Sequence, residues 1–178
     1  LIKNQRKTDY QQKAEEFNIL KESFRTNGQY EDEDKAYIQF KRFEQKADIK
    51  AALKKGGLSF FMLPYYIFRW LVFDKMGLYA TNPLRVLFSM ILIYIGFSLS
   101  FFMFHVLNLG DIINTVGAVD SLHYLQVSFY HSAITFLTIG YGDYYPTEFS
   151  RGLSIIEGWT GLFLMSYFTV AFVRKILR

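Results

Sequence analysis

The sequence predicts an all-α membrane protein: two membrane-crossing helices with a re-entrant helix and loop between them, preceded by a helical hairpin and an interfacial helix. Three observations lead there. Two apolar runs, 86–107 and 153–173, are each long enough to cross a hydrocarbon layer of about 30 Å at about 1.5 Å per residue. Basic residues are segregated: of twenty Lys and Arg, sixteen lie at or before Arg85 and three are Arg174, Lys175 and Arg178, leaving only Arg151 between. A third apolar stretch, His123 to Leu137, is too short to cross and so has to enter and return.

Composition narrows the function classes. The chain has 178 residues, 51% of them hydrophobic and 19% aromatic, and no cysteine. Disulfides, zinc–cysteine sites and thiol chemistry are excluded, and the redox compartment is left open. The basic residues before Arg85 alternate with Glu and Asp, a pattern of membrane orientation and not of nucleic-acid binding. Neither a nucleophile–base pair nor a metal-ligand cluster stands out, so an enzyme is not expected, and no cofactor is. The chain begins with Leu and stops just after a basic cluster, from which an excised or processed piece of a longer protein is expected; no signal-peptide pattern opens it.

Residues 1–55 are read as a cytoplasmic helical hairpin. Tyr10, Ala14, Phe17, Leu20 and Phe24, and then Tyr37, Phe40, Phe43, Ala47 and Ala51, recur at helical spacing on either side of the turn signal Asn27-Gly28. The hairpin and its Asn-Gly-x-Tyr turn loosely resemble a tetratricopeptide unit, although a single unit cannot bury its own face. Its expected role is to bind a cytoplasmic partner or ligand, or to stabilise an assembly. Gly56-Gly57 then punctuates the chain, and 56–82 becomes densely aromatic, with Phe60, Phe61, Tyr65, Tyr66, Phe68, Trp70, Phe73 and Tyr79. Pro64, Arg69 and Asp74-Lys75 interrupt it, so it is read as an amphipathic helix at headgroup level and not as a span.

Residues 83–178 hold the two spans. Between Arg85 and Arg151 no Lys or Arg occurs, whereas Asp111, Asp120, Asp143 and Glu148 do. By the positive-inside rule the connection is outside and both flanks, including Lys54-Lys55, are cytoplasmic. A multi-pass protein with both termini inside is expected.

After the re-entrant helix, 123–137, comes Thr138-Ile139-Gly140-Tyr141-Gly142-Asp143, with Pro146 three residues on. Non-helical backbone at membrane depth survives only where protein buries it or it lines a watery path. A potassium ion entering a narrow path loses its water, and rows of backbone carbonyls can replace those oxygens without holding the ion too tightly. Aiming successive carbonyls at one axis needs alternating backbone hand, which glycine supplies cheaply, and Gly140 and Gly142 stand at alternate positions. The Thr138 hydroxyl can add an inner ring of oxygens, and Tyr141 can brace the strand from outside the axis. The negative end of the preceding helix favours a cation beneath.

The run Thr135-Phe136-Leu137-Thr138-Ile139-Gly140-Tyr141-Gly142-Asp143-x-x-Pro146, flanked by spans, resembles the signature of potassium channels. Over roughly residues 80 to 178 the chain is similar to bacterial two-transmembrane channels; the Ile variant of the filter also occurs in two-pore-domain relatives. The resemblance implies passive K+ conduction through a filter at Thr138, Ile139, Gly140, Tyr141, Gly142 and Asp143, with the ion held at Thr138 to Tyr141, in a cell membrane and in this case a bacterial inner membrane. One filter cannot surround an ion, so a closed homotetramer with three identical subunits, embedded in lipid, is implied. Two departures limit the carry-over: Leu137 replaces a common second threonine, removing a hydroxyl from the cavity roof and with it the usual blocker site, and Ile134 stands where some members carry a glutamate tied to inactivation.

In the second span the resemblance places a flexible point at Gly161. By helical period Met165, Phe168 and Phe172 share a face; they either line the inner mouth, where a ring of Phe gates by dewetting, or pack on the first span, Gly161 then serving close helix approach. Glu157, ionisable within a membrane helix, either braces the re-entrant helix or is a locally paired acid. His123 and His131 lie on the outer side, as satisfied interfacial residues or as reporters of external pH. Two other functions fit less of the sequence: a less selective cation channel, to which only Leu137 points, and a membrane-tethered interaction protein, which leaves the re-entrant loop unexplained. No regularly spaced arginines mark a voltage sensor, and the stimulus that opens a pore is not legible.

Overall fold

The computed structural model describes residues 2–5, 8–55, 62–115 and 122–177. The Gly56-Gly57 break, Phe60, Phe61, Asp120 and Arg178 lie outside the described residues. The chain divides into two compact units, Leu1–Arg85 with Ala171–Arg178, and Val86–Val170.

In the first unit, α1 (Tyr10–Thr26) starts where Asp9 caps it: the carboxylate accepts from the Tyr10 amide, and Gln12 returns a bond to the Asp9 amide. Such a capping box satisfies amides that the helix itself cannot. A turn leads to α2 (Tyr30–Lys55), whose first turn carries Glu31, Asp32 and Glu33, the sign of charge a helix N-terminus favours. The two helices bury Ala14, Phe17 and Phe43 between them, with Leu20 and Phe40 packed against that cluster. Phe17 and Phe43 stack with ring centroids 5.6 Å apart.

Helix α3 (Leu63–Arg69) begins with a proline in its first turn and continues as a π-helix over Trp70–Met76. The single amphipathic helix read over 56–82 is therefore corrected among the described residues: the helical part is 63–76, its second half is wide-wound, and Leu78, Tyr79 and Ala80 follow with φ of 47°, 57° and 61°. The aromatic face is exposed at Tyr65, Phe68 and Trp70, and Lys75 is exposed too, but Asp74 and Arg69 are turned to α2. Asp74 is buried and takes a two-pronged bond from Arg42 (2.7 and 3.1 Å), and Arg69 joins Glu44 and Asp48 of α2 at 3.0 and 2.9 Å. Sequence spacing alone cannot show this, because the partners lie more than twenty residues away. The left-handed run, which costs on the order of 1 kcal/mol per non-glycine residue, is held by bonds from the Tyr79 amide to Phe73 and from Arg174 to the Tyr79 carbonyl.

The second unit is built on α4 (Pro83–Val106) and α6 (Glu148–Ile176), the two described helices long and apolar enough to cross a membrane. Asn82 caps α4, accepting from the Arg85 amide at 3.1 Å, and Pro83 occupies the first helical position, where a missing N–H does no harm. Between the two lie β1 (Ile112–Asn114), α5 (Tyr124–Phe136) and β2 (Tyr144–Pro146). The strands pair antiparallel, Ile112 with Pro146, Ile113 with Tyr145 and Asn114 with Tyr144. The all-α expectation thus needs a correction: the chain is mostly helical, with one short ladder. Three-residue strands are too brief for period-two alternation to register. Phe101, Ile112 and Val127 form one buried cluster of this unit, with Tyr124, Tyr144 and Leu153 around it.

Candidate functional site

Helix α5 is capped at both ends by its own neighbours. His123 Nδ1 accepts from the Leu125 amide at 3.2 Å, Gln126 accepts from the His123 amide at 3.1 Å, and the Leu137 amide closes the far end onto the Ala133 carbonyl at 3.1 Å. The chain then doubles back on the helix. The amides of Thr138, Ile139 and Gly140 donate to the carbonyls of Thr135 and Ile134 at 3.0, 2.8 and 3.3 Å.

The backbone over 138–142 alternates in hand: φ is 56° at Thr138, 60° at Gly140 and 77° at Gly142, with Ile139 and Tyr141 outside the positive range. Two of the three left-handed positions are glycines, which adopt it freely; Thr138 is the one the sequence does not announce. With three amides turned back to α5, the carbonyl oxygens of Thr138, Ile139, Gly140 and Tyr141 accept no hydrogen bond among the described residues. All four residues are exposed in the single chain, so these carbonyls stand open to solvent or to an ion.

The next two carbonyls are held. Thr115, just past β1, donates its hydroxyl to Gly142 and Asp143 at 3.1 and 2.9 Å, and its amide to Asp143 at 2.8 Å. The Asp143 carboxylate accepts from the Tyr130 hydroxyl at 2.6 Å and from the Tyr144 amide at 3.2 Å. The β1–β2 ladder carries Thr115 to this place.

Behind α5 sits a buried polar network. Ser132 and Glu157 are both 0% exposed, and the Ser132 hydroxyl donates to the Glu157 carboxyl. The Tyr94 hydroxyl of α4 donates to the Phe129 carbonyl at 3.1 Å. Gly161 lies against the α5 backbone so closely that a Cβ there would meet the Phe136 carbonyl carbon at 2.9 Å and its oxygen closer still. Helix α6 runs through Gly161 without a break.

The site residues read from the sequence fall into three groups. Thr138 to Asp143 form one continuous segment; Glu157 and Gly161 stand behind its supporting helix. Met165 and Phe172 are exposed and Phe168 half-buried, whereas Leu164, Tyr167 and Ala171 are the buried positions of that part of α6. Tyr141 is 70% exposed and has no hydrogen bond or ring contact among the described residues. His131 is 4% exposed, with Nε2 3.0 Å from the Ser154 hydroxyl and its ring edge-on to Phe101. Thr115, Tyr130 and Ser132 were not legible as site residues, being ordinary polar side chains whose partners lie 13 to 28 residues away.

Residues 89–178 match the model of a family described as ion channel. No curated protein and no solved structure matches the chain.

Proposed function

The chain belongs to the ion channel family, and from that premise we propose that it is a potassium-selective channel in which Thr138 to Asp143 form the filter. The observation that supports this most is the run of four unbonded carbonyls on a backbone of alternating hand. Oxygens already committed to amides would bind a cation weakly; uncommitted ones can replace its hydration shell. Their number in one chain is too small to encircle an ion, so four copies around a shared axis complete each ring, with the Thr138 hydroxyl adding an inner one. Passive K+ conduction follows.

In this reading α4 and α6 cross the membrane, both termini are cytoplasmic, and the membrane is a bacterial inner one. Helix α5 enters from outside and returns through the filter. Glu157 braces α5 through Ser132, and the Tyr141 ring, open within one chain, packs on a neighbouring subunit. Met165, Phe168 and Phe172 line the inner mouth, where bringing apolar side chains together expels water and shuts conduction. Hairpin 1–55 stays in the cytoplasm, and the aromatic face of 63–76 lies at headgroup level.

The test is the reversal potential of the purified protein in bilayers, with potassium on one side and sodium on the other. It should approach the potassium equilibrium value, and Gly142→Ala, which strains a left-handed position, should abolish current. A reversal near zero with robust current would replace this reading with a less selective cation channel. Silence in bilayers where the protein is demonstrably inserted would favour a tethered interaction protein.

A further inference from the structure

The first unit carries a half-open polar cavity of about 490 Å³, within the size range of small-molecule sites. Lys21 and Arg25 come to it from α1, Tyr30, Glu33 and Tyr37 from α2, and Arg174 from the inner end of α6. Three cations thus share the wall with one carboxylate. Two of them converge on a single ring: Arg174 Cζ lies 4.4 Å and Lys21 Nζ 6.0 Å from the centre of Tyr37.

Like charges gathered in this way repel unless an anion lies between them. Resident acids answer part of that demand. Lys21 pairs with Glu22 at 2.7 Å, and Arg174 with Asp34 at 3.1 Å. Arg25 is exposed and forms no ion pair among the described residues. A guanidinium with its donors open, a second guanidinium lining the same cavity and a lysine make the donor set that recognises phosphate, the guanidinium forks supplying paired N–H bonds and the ammonium a point charge. Tyr30, 44% exposed, adds a hydroxyl and a ring face.

We propose that this cavity is a cytoplasmic binding site for a small organic phosphate, and that its occupancy is coupled to the pore through Arg174. The coupling rests on the function proposed above; the binding does not. Arg174 belongs to α6 and is bonded to Asp34 of the hairpin and to the Tyr79 carbonyl, so a phosphate that joins it to Lys21 and Arg25 adds bonds between the hairpin and the end of that helix. A ligand that favours one arrangement of α6 shifts the population toward it.

The experiment uses the full chain in detergent and adenosine monophosphate as the probe, with inorganic phosphate and adenosine titrated separately by calorimetry. The monophosphate should bind with one site per chain, and Arg25→Glu should weaken it by at least about tenfold, as loss of a charge-assisted bond implies, while Arg25→Lys retains most of the affinity. Arg25 is on the surface of the hairpin, so circular dichroism of both variants should match the parent. Binding of inorganic phosphate as tight as that of the nucleotide would locate recognition in the phosphate alone and support the site. Adenosine binding equal to the monophosphate, or no heat from either phosphate, would overturn it. In bilayers, the monophosphate added on the cytoplasmic side should change open probability for the parent and not for Arg25→Glu. Binding without that change overturns the coupling, whereas absence of any potassium current overturns the pore reading and leaves the calorimetric result standing.

Discussion

Replacing Gly161 by alanine separates two roles for that residue. If it is a flexible point in an otherwise free helix, alanine stiffens α6 and raises stability by about 1 kcal/mol, the difference in helix propensity. The structure argues for the opposite sign. An added Cβ would stand 2.9 Å from the Phe136 carbonyl carbon and 3.1 Å from its Cα, and closer to the oxygen, where carbon atoms ordinarily rest about 3.5 to 4.0 Å apart. Both sides of the contact are backbone, so no rotamer change relieves it, and either α6 or the end of α5 must move. Overpacking of this kind costs about 1 to 3 kcal/mol and sometimes more, and with no flexible atom to yield the upper figure applies. After the propensity gain the net loss is about 2 kcal/mol, a factor of about thirty in the folded-to-unfolded ratio at 1.4 kcal/mol per tenfold. Because Phe136 is two residues before Thr138, the displacement also reaches the proposed filter. The assay is thermal unfolding of the detergent-purified protein beside Gly158→Ala, where an added Cβ meets nothing within 4 Å of the same chain. Gly161→Ala should melt several degrees lower and Gly158→Ala should not. A Gly161→Ala protein that melts at or above the parent and conducts normally would refute the close-approach reasoning.

Thr115→Val removes the hydroxyl that holds the Gly142 and Asp143 carbonyls, worth about 1 kcal/mol; current through the proposed filter should decay faster in low external potassium, Thr115→Ser should behave as the parent, and equal decay in all three would count against the clamp. Ser132→Ala leaves the buried Glu157 carboxyl without the donor it has and should destabilise the protein by about 1 to 3 kcal/mol. In a double-mutant cycle with Glu157→Gln the pair should couple; purely additive losses would remove the brace. Burial and the neighbouring Asp74 carboxylate push the Tyr79 hydroxyl up to about 12, from an ordinary value of 10.0. Its folded-state value is raised, so the stability it contributes is fully present below pH 10 and is lost as pH rises toward 12. Tyr79→Phe should flatten the parent's decline in melting temperature over that interval, and parallel declines in the two proteins would contradict the assignment.

How much of this was legible beforehand depends on the range of the interactions. The two long apolar helices and the ion channel class could be read because length, hydropathy and a local motif are properties of contiguous residues. The alternation of glycines at 140 and 142 was visible, but the left-handed Thr138 was not, since nothing in a threonine's chemistry favours that conformation. It is imposed by bonds to the Thr135 and Ile134 carbonyls on either side of it. Arg69 and Asp74 were read as interruptions of an apolar stretch at headgroup level; their pairing with α2 was not legible, because they meet Glu44, Asp48 and Arg42 only after the chain has turned back.

Sequence by itself determined which segments are apolar enough to cross a bilayer, where the backbone is free to adopt both hands, and which family the chain joins. Tertiary structure alone decided that Thr115 reaches the outer carbonyls, that Ser132 meets Glu157, that His131 is buried, and that Arg174 shares a ring with Lys21. The division has one physical cause. Hydrophobicity and backbone propensity act residue by residue along the chain, whereas a hydrogen bond or an ion pair is directional, falls off within a few ångströms, and depends on where distant segments are brought together.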